Sequence, residues 1–322
     1  MVSEGVTNMK VAFQIDELEK INFANDSSVM LIIEAFTRGY EVAIYHPDSL
    51  SIYENNVFAD MVILTDIQDP TTNKTPFIHS LPAKTSLQDM DIIFLRQDPP
   101  FDMAYITSTF LLEKVMDKVK VINNPVSVRN APEKLLVTNF SHLMPSTLIT
   151  RNPLEIHEFL NKHQQCVIKP LYGNAGADVF FLKKNDFNVG AIINYFLFTF
   201  KEQFIIQEFL PKVHLGDKRL ILINGEYAGG INRVPQPHDI RSNMAVGGVA
   251  TGFEKLTPKE EEICKTIGGT LKDLGLFFVG IDVIDGYLTE INVTSPTGLR
   301  AIQNFYNLNL ASTMFDLLEE VF

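Results

Sequence analysis

Residues Phe277 to Arg300 read FFVGIDVIDGYLTEINVTSPTGLR, two apolar, β-prone runs separated by Asp285-Gly286. That pattern strongly favours a β-hairpin, because Asp-Gly supplies a tight turn between strands whose side chains alternate. The hairpin also carries three hard oxygen ligands, Asp282, Glu290 and Asn292. Alternation places Glu290 and Asn292 on one face. Whether Asp282 joins them rests on the turn. A two-residue Asp-Gly turn pairs Asp282 with Thr289 and sends Glu290 to the other side. A three-residue loop, Ile284 to Gly286 with the glycine in a left-handed bulge position, pairs Asp282 with Leu288 and gathers all three. The second arrangement is the expected one. Two carboxylates and an amide oxygen on a rigid face suit Mg²⁺, which takes near-octahedral oxygen, partly from substrate phosphates and water. The competing reading is an ordinary solvated strand face that carries charge.

The rest of the chain excludes several classes. Its 322 residues allow roughly two or three packed units, at about 100 to 200 residues per domain. At 46% hydrophobic and 20% charged residues it is an ordinary globular sequence. A net charge of −12 and the absence of a Lys/Arg cluster argue against a nucleic-acid partner. Cys166 and Cys264 lie far apart and lack metal-ligand spacing, which reads as two reduced, buried thiols. The most apolar run, Ala191 to Phe200, is about half as long as a membrane span requires. The first residues lack a basic segment followed by an apolar one, so a soluble, cytoplasmic location without membrane partners is expected, with folded structure starting near Met9.

The first third alternates strand and helix. Lys10 to Ile15, Tyr40 to His46, Met61 to Thr65, Asp91 to Arg96 and Val119 to Asn123 read as strands. Helices are expected from Ser28 to Arg38, capped by Ser27, and from Phe101 to Lys118. That rhythm implies a parallel sheet. The character changes near Asn124-Pro125. Asn130-Ala-Pro-Glu133 resembles a capping box opening a helix from about Pro132 to Phe140. Helix from Pro153 to Lys162 and strands at Cys166 to Lys169, Asp178 to Leu182 and Phe204 to Phe209 follow, then Arg219 to Ile223 and Glu226 to Arg233. Helices Pro258 to Leu274 and Leu310 to Phe322 flank the hairpin. The expected organisation is an N-terminal α/β domain (1–125), a small central α+β lid (126–202) and a larger α+β domain (203–322).

Lys169 ends a strand just before the turn Leu171-Tyr-Gly-Asn-Ala-Gly-Ala177. Glycines such as Gly173 and Gly176 let backbone N–H groups approach an anion, and a lysine adds a point charge. The turn is not a GxxxxGK[ST] loop. Lys134, early in its helix, can reach the same anion. Arg219 and Arg233 fall on adjacent strands, and Arg241 in a loop from Pro235 to Gly252 that also holds Asn243. Three guanidiniums in one region need an anion or carboxylates to compensate them. A loop of that length is usually a lid or disordered. Gln207-Glu208, ending a strand, could bind a base edge or ribose hydroxyls. Each of these residues has a bland alternative, a solvated lysine, a surface ion pair or simple strand termination.

Taken in order, Lys134, Lys169 with its Gly turn, Gln207-Glu208, Arg219 and Asp282…Glu290-Ile-Asn292 resemble the ATP-grasp ligases. Across nearly its whole length the chain is similar to bacterial glutathione synthetase, most distinctively at RQDPPFD (Arg96 to Asp102) and EINVTSPT (Glu290 to Thr297). The resemblance implies an N-terminal parallel-sheet, Rossmann-like domain followed by a two-lobed ATP-grasp fold. It implies that ATP phosphorylates the cysteinyl carboxylate of γ-glutamylcysteine and that glycine's amine attacks the acyl phosphate, giving glutathione. Asp282, Glu290 and Asn292 would hold Mg²⁺, or Mn²⁺ in its place, and Lys134 and Lys169 would neutralise ATP oxygens. Arg219, Arg233 and Asn243 would be catalytic, and Gly173, Gly176, Gln207 and Glu208 would line the nucleotide pocket. The loop 235–252 would close over the site. Asp26, Ser27, Ser28, Arg96 and Ser295 would contact the peptide, and the enzyme would be a homo-oligomer. Tyr172 stands where the family often has an acidic residue, and Pro237 and His238 where it commonly has glycines. Another ATP-grasp ligase with a different amine acceptor, or a silent nucleotide-binding relative, are the alternatives.

Overall fold

Among the described residues every strand belongs to one of three sheets, and most of the candidate residues gather where the second faces the third. The computed structural model describes residues 9–69, 76–173 and 176–320; Met1–Asn8, the centre of the Gly turn (Asn174, Ala175) and the chain's last two residues lie outside them. The first sheet is built from β1 (Lys10–Gln14), β2 (Glu41–Tyr45), β3 (Ser51–Tyr53), β4 (Asn56–Ile67), β5 (Phe77–His79), β6 (Ala83–Ser86), β7 (Ile92–Leu95) and β8 (Lys120–Ile122). Strands β2, β1, β7 and β8 run parallel in that order, as the strand–helix rhythm requires. The twelve-residue β4 joins antiparallel and carries β3, β5 and β6 as a flap. The sequence reading saw only Met61 to Thr65 of it, because much of the flap is exposed and lacks a clean apolar alternation.

Helix α1 (Ser27–Thr37) follows β1, α2 (Met103–Glu113) follows β7 and α3 (Pro125–Asn130) follows β8. Asp26, not Ser27, caps α1: its carboxylate accepts from Ser28 N and Val29 N, and Ser27 is already the first helical residue. Asp102 caps α2 in the same way, which leaves Phe101 outside and makes the helix shorter than expected.

A one-turn helix, α4 (Glu133–Leu136), leads into a 3₁₀ segment (Val137–Leu143) instead of the long helix expected from Pro132. The capping box does not form: Glu133 accepts from the Thr294 hydroxyl at 3.0 Å. The second sheet has β9 (Thr147–Thr150), β10 (Gln165–Pro170), β11 (Phe180–Lys183) and β12 (Phe204–Glu208), ordered β11-β10-β12-β9 and all antiparallel. Helices α5 (Pro153–His163) and α6 (Val189–Thr199) cover one face around Ile156, Phe196 and Phe204.

The third sheet has β13 (Asp217–Ile223), β14 (Glu226–Val234), β15 (Val249–Thr251), β16 (Phe278–Ile284) and β17 (Tyr287–Asn292), ordered β15-β14-β13-β16-β17. Helix α7 (Pro258–Asp273) packs Ile263, Ile267 and Leu271 against one face. On the other, α8 (Leu299–Tyr306), which the sequence reading missed, and α9 (Leu310–Glu319) cover Ile221, Ile223 and Ile231. Helix α9 also reaches the first sheet, where Phe315 tilts against Phe94 and Tyr40. Buried Asn123 joins the first sheet to the third. Its amide donates to Phe278 O and Val293 O, each at 2.8 Å, and its Oδ1 accepts from Phe278 N.

Adjacent glycines in α7 make opposite predictions. A Cβ on Gly268 would lie 2.2 Å from the carbonyl oxygen of Gly225, whereas one on Gly269 meets nothing within 4 Å. Gly269→Ala should therefore stabilise the chain by about 0.5–1 kcal/mol through helix propensity. Gly268→Ala should destabilise it by about 1–3 kcal/mol, because a rigid backbone cannot yield. Urea midpoints of the two variants check both signs.

Candidate active site

The hairpin solves the face problem by a route the sequence reading did not choose. Its turn has two residues, with Ile284 paired to Tyr287 and both Asp285 (φ 51°) and Gly286 (φ 74°) left-handed, the form that suits the strand twist. The expected three-residue loop is absent. The register instead shifts between Asp282 and Val283, leaving Thr289 as the extra residue of a bulge, and Asp282 pairs directly with Glu290. The Thr289 hydroxyl donates to Asp282 O at 3.1 Å. Gly280 pairs with Asn292, so Asp282, Glu290 and Asn292 do share a face.

Strand register brings more charge to that face. Arg219 pairs with Asp282 across β13 and β16, and Asp217 pairs with Arg233 across β13 and β14. Arg219 grips Asp282 with two bonds, Nε to Oδ1 at 2.5 Å and Nη2 to Oδ2 at 2.9 Å. Arg233 Nη2 donates to Asp217 Oδ2 at 2.6 Å and lies 3.0 Å from Asp282 Oδ1. All four side chains are buried. Burial opposes the charge on Asp282, but Arg219 and Arg233 outweigh it and hold the carboxyl well below the usual range. Burial acts on Asp217 too; Arg233 opposes it, but Asp282 opposite adds to it, and burial wins and pushes the carboxyl up to about 6. Gly280 leaves room for Arg219, since a Cβ there would stand 3.0 Å from Arg219 Cδ.

The second sheet supplies cations from across the gap. Lys169, near the end of β10, places Nζ 3.1 Å from Glu290 Oε1, and Lys134 Nζ lies 3.7 Å from the same oxygen while donating to Gly173 O at 2.6 Å. Burial opposes the Glu290 charge too, but the two lysines hold its carboxyl below the ordinary range. Lys134 sits in a single helical turn, so it acts by its own charge and not through a helix dipole. Between the sheets lies a cavity of about 400 Å³, lined by these residues together with Gly173, Gly176, Gln207, Glu208 and Asn243. Gln207 donates to Thr147 Oγ1 at 3.0 Å, and Glu208 is the more exposed of the two, 3.5 Å from His163. Tyr172 stacks on Phe101 at 6.1 Å between centroids, tying the Gly turn to the first domain's loop.

The loop 235–252 is docked over the cavity, with Ile240 to Ala245 on its wall. It is not wholly irregular: its end forms β15 against β14. Gly176 packs under it, since a Cβ there would stand 2.9 Å from Asn243 Oδ1. Arg241 pairs with Asp239 at 2.7 Å and does not join Arg219 and Arg233.

The five residues expected to touch a peptide separate into two groups. Ser295 lines the cavity beside Asp98, whose carboxyl burial pushes up against the Ser295 hydrogen bond. Asp26, Ser27, Ser28 and Arg96 do not line it. Ser27 Oγ accepts from Leu299 N, Arg96 Nε donates to Ser28 Oγ at 3.1 Å and Arg96 Nη2 donates to Pro296 O at 3.0 Å. Ser27, and Arg96 braced by Ser28, fasten the 295–299 segment to the first sheet and α1, while Asp26 only caps that helix. The sequence reading missed Asp217, Ser242, Asp98 and Glu133 as cavity residues. Asp217 had a signal, standing two residues before Arg219 on a strand and so on its face; Asp98 lay inside the RQDPPFD stretch.

Two antiparallel sheets closing on a cavity with lysines on one side and acids on the other define an ATP-grasp ligase. A solved ATP-grasp ligase, PsnB with a phosphomimetic variant of its minimal precursor, Mg and ADP, shares this fold: TM-score 0.60 at 16% identity, covering 98% of this chain and 99% of that one. Family models narrow the class: the prokaryotic glutathione synthetase N-terminal domain matches residues 9–129 and its ATP-grasp domain residues 133–307. Glutathione synthetase of Rhodopseudomonas palustris is 49% identical over 311 residues, covering 97% of this chain and 98% of that one. That of Bradyrhizobium diazoefficiens is 49% identical over 312 residues, with the same coverage. The chain belongs to the prokaryotic glutathione synthetases, ATP-dependent ligases that make glutathione.

The lowered Glu290 carboxyl carries a pH dependence. A depressed folded-state pKa contributes stability that is present above the ordinary value of 4.5 and is lost as pH falls below it. Glu290→Gln leaves Lys134 and Lys169 without their counter-charge and should cost about 3–5 kcal/mol near neutral pH. The gap from the parent chain should narrow as pH falls below 4.5, as urea titrations at successively lower pH would show.

Proposed function

We propose that this cavity joins γ-glutamylcysteine to glycine, with the roles divided among the residues as follows. The cysteinyl carboxylate of the peptide takes the γ-phosphoryl group of ATP, and ADP leaves. Glycine's amine then attacks the acyl carbon and phosphate departs, leaving the peptide bond of glutathione. Phosphorylation turns a poor leaving group into a good one, so the protein's work is mostly positioning and charge stabilisation. The observation that carries this reading is the single strand face with Asp282, Glu290 and Asn292 opposed by Lys134 and Lys169.

The donor set fits Mg²⁺. One buried carboxylate, one half-buried one and an amide are too few to enclose an ion, and among the described residues no cluster of three or more His, Cys, Asp or Glu forms a metal cage. That suits an ion that keeps phosphate and water ligands. Asn292 Nδ2 is buried without a partner, a donor left for an incoming acceptor oxygen such as a phosphate's, while its Oδ1 is the atom that would face an ion. Asp282, Glu290 and Asn292 would hold the ion, or Mn²⁺, which accepts the same oxygen donors. Bound there, it would neutralise phosphate charge.

Lys134 and Lys169 neutralise ATP oxygens, sharing their charge between Glu290 and the nucleotide. Gly173 and Gly176 let backbone approach the phosphates. Gln207 and Glu208 hold the adenosine, and Glu208 is free enough to meet ribose hydroxyls. Arg219 and Arg233 face the transferring phosphoryl group and the tetrahedral carbon, and Asn243 presents the loop to the phosphates. The loop 235–252 keeps water from the acyl phosphate. Ser295 and Asp98 meet the peptide. Ser27, and Arg96 braced by Ser28, hold the Ser295 segment in place, while Asp26 caps α1. We assign the units as 1–125, 126–202 and 203–322, and the assembly as a cytoplasmic homo-oligomer. Among the described residues no helix is long and apolar enough to cross a membrane.

Purified protein with Mg²⁺, ATP and γ-glutamylcysteine should release ADP at a steady rate only when glycine is added, with glutathione identified by mass. Chelating the metal should stop it. Glu290→Gln and Arg219→Ala should each slow it by about a hundredfold or more. Steady ADP release indifferent to glycine would move the reading to another amine acceptor.

A further inference from the structure

From Gln236 to Gly252 a single residue is buried, Ser242; its neighbours Arg241 and Asn243 are half-buried and the rest are half-buried or exposed. A hydroxyl carried inward by an otherwise open loop needs a reason. Ser242 Oγ donates to Asp217 Oδ2 at 2.6 Å, the same oxygen that accepts from Arg233 Nη2 at 2.6 Å. Asp217 Oδ1 and Arg233 Nε are both buried and unpartnered, so the contact between this acid and this guanidinium runs through one oxygen and one nitrogen. Arg233 Nη2 also stands 3.0 Å from Asp282 Oδ1. The loop is folded tightly behind Ser242: Gly248 N donates to Asn243 O at 3.1 Å, and a Cβ on Gly248 would fall 1.9 Å from Ser242 O.

Asp217 therefore divides its charge between a residue that arrives with the loop and one that belongs to the sheet. With the loop away, Asp217 loses the Ser242 bond and turns more of its charge on Arg233, its direct guanidinium partner, while Arg219 acts on it only through space. With the loop docked, Ser242 answers part of that charge, and the guanidinium has more of its attraction left for an anion in the cavity. We propose that Ser242 is a positioning residue that couples closure of the 235–252 loop to Arg233 through Asp217. Arg233 is then fully available only when the cavity is shut against water. This rests on the roles given above to Arg233 and the loop, and it adds a mechanism by which the two act together.

Loss of the coupling has a chemical signature. If the loop opens over the acyl phosphate, water attacks in place of glycine. Phosphate leaves, γ-glutamylcysteine is regenerated, and the sum is hydrolysis of ATP to ADP and phosphate with no glutathione. Ser242→Ala should raise the ratio of ADP released to glutathione formed about tenfold from a value near one, the scale of one lost hydrogen bond to a charged group. With ATP analogue and γ-glutamylcysteine bound, the parent chain should resist trypsin at Arg241, whereas Ser242→Ala should still be cut there. Ser242→Thr, which keeps the hydroxyl, should restore both readouts, and Ser242→Cys, a weaker donor, should fall between. A Ser242→Ala enzyme with the parent ratio and a protected loop overturns the proposal, even if its turnover is slow. If the parent chain makes no glutathione, the functional reading fails instead, while protection of Arg241 in the parent but not in Ser242→Ala still supports the latch.

Discussion

A carboxylate taken out of water must be answered by cations, and the hairpin β16–β17 carries two of them, Asp282 and Glu290, into the centre of the molecule. Their answers come from different places. Asp282 is met within its own sheet by Arg219 and Arg233, one on a paired strand and one a strand further on. Glu290 is met from across the cavity by Lys169 on the second sheet and Lys134 on the short helix before it. The first arrangement rigidifies a face. The second ties two sheets together through charge alone, at the place where a nucleotide's phosphates would enter. Buried pairs of this kind contribute little net stability, because desolvation offsets most of the attraction. What they do provide is cations held in place beforehand, which is what stabilising a transferring phosphoryl group demands.

The same requirement explains the bulge at Thr289. An Asp285-Gly286 turn with both residues left-handed is the low-strain closure for a hairpin, and without correction it would put Glu290 on the face opposite Asp282. One extra residue in β17 reverses the alternation, and the Thr289 hydroxyl takes a hydrogen bond to Asp282 O that steadies the irregularity. Local turn chemistry and site chemistry pull in different directions here, and a single bulged residue reconciles them.

Much of the architecture was legible because it rests on local signals. Parallel strands β1, β2, β7 and β8 announced themselves as apolar runs separated by helical stretches, and Asp282, Glu290 and Asn292 were legible as oxygen donors that could share a hairpin face. The failures have physical causes. Ser27 and Asp26 are both good cap residues in sequence, and only the fold shows that the Ser27 hydroxyl goes to Leu299 N while Asp26 closes the helix. Asn130-Ala-Pro-Glu133 has the spacing of a capping box, but Glu133 finds Thr294, 161 residues away, and the box is lost to a tertiary contact. Arg96 and Ser28 lay near the right region for a wrong reason: no one-dimensional pattern distinguishes a residue that lines a cavity from one that stands directly behind it. Helix α8 has a strong apolar stripe but only eight residues, short enough to hide behind the hairpin before it.

The contacts between sheets are uneven, and that bears on how such a site can open. The first and third sheets share buried Asn123, the Arg96 bond to Pro296 O, the Ser27 bond to Leu299 N and the ring contacts of Phe315 with Phe94 and Tyr40. These are apolar or hydrogen-bonded joints, and only Arg96 Nη1 among their groups is left buried without a partner. The second sheet has its own core around Ile156, Ile168 and Phe196, separate from the other two. It meets the rest of the site through Lys169 at Glu290, the Lys134 bond to Gly173 O, and the stacking of Tyr172 on Phe101. Those lysine contacts are the ones that nucleotide phosphates would compete for. On the roles proposed for Lys134 and Lys169, an arriving nucleotide would loosen one set of bonds between the second sheet and the third while supplying another, so this lobe would shift as the site fills while the first and third sheets hold the 295–299 segment still.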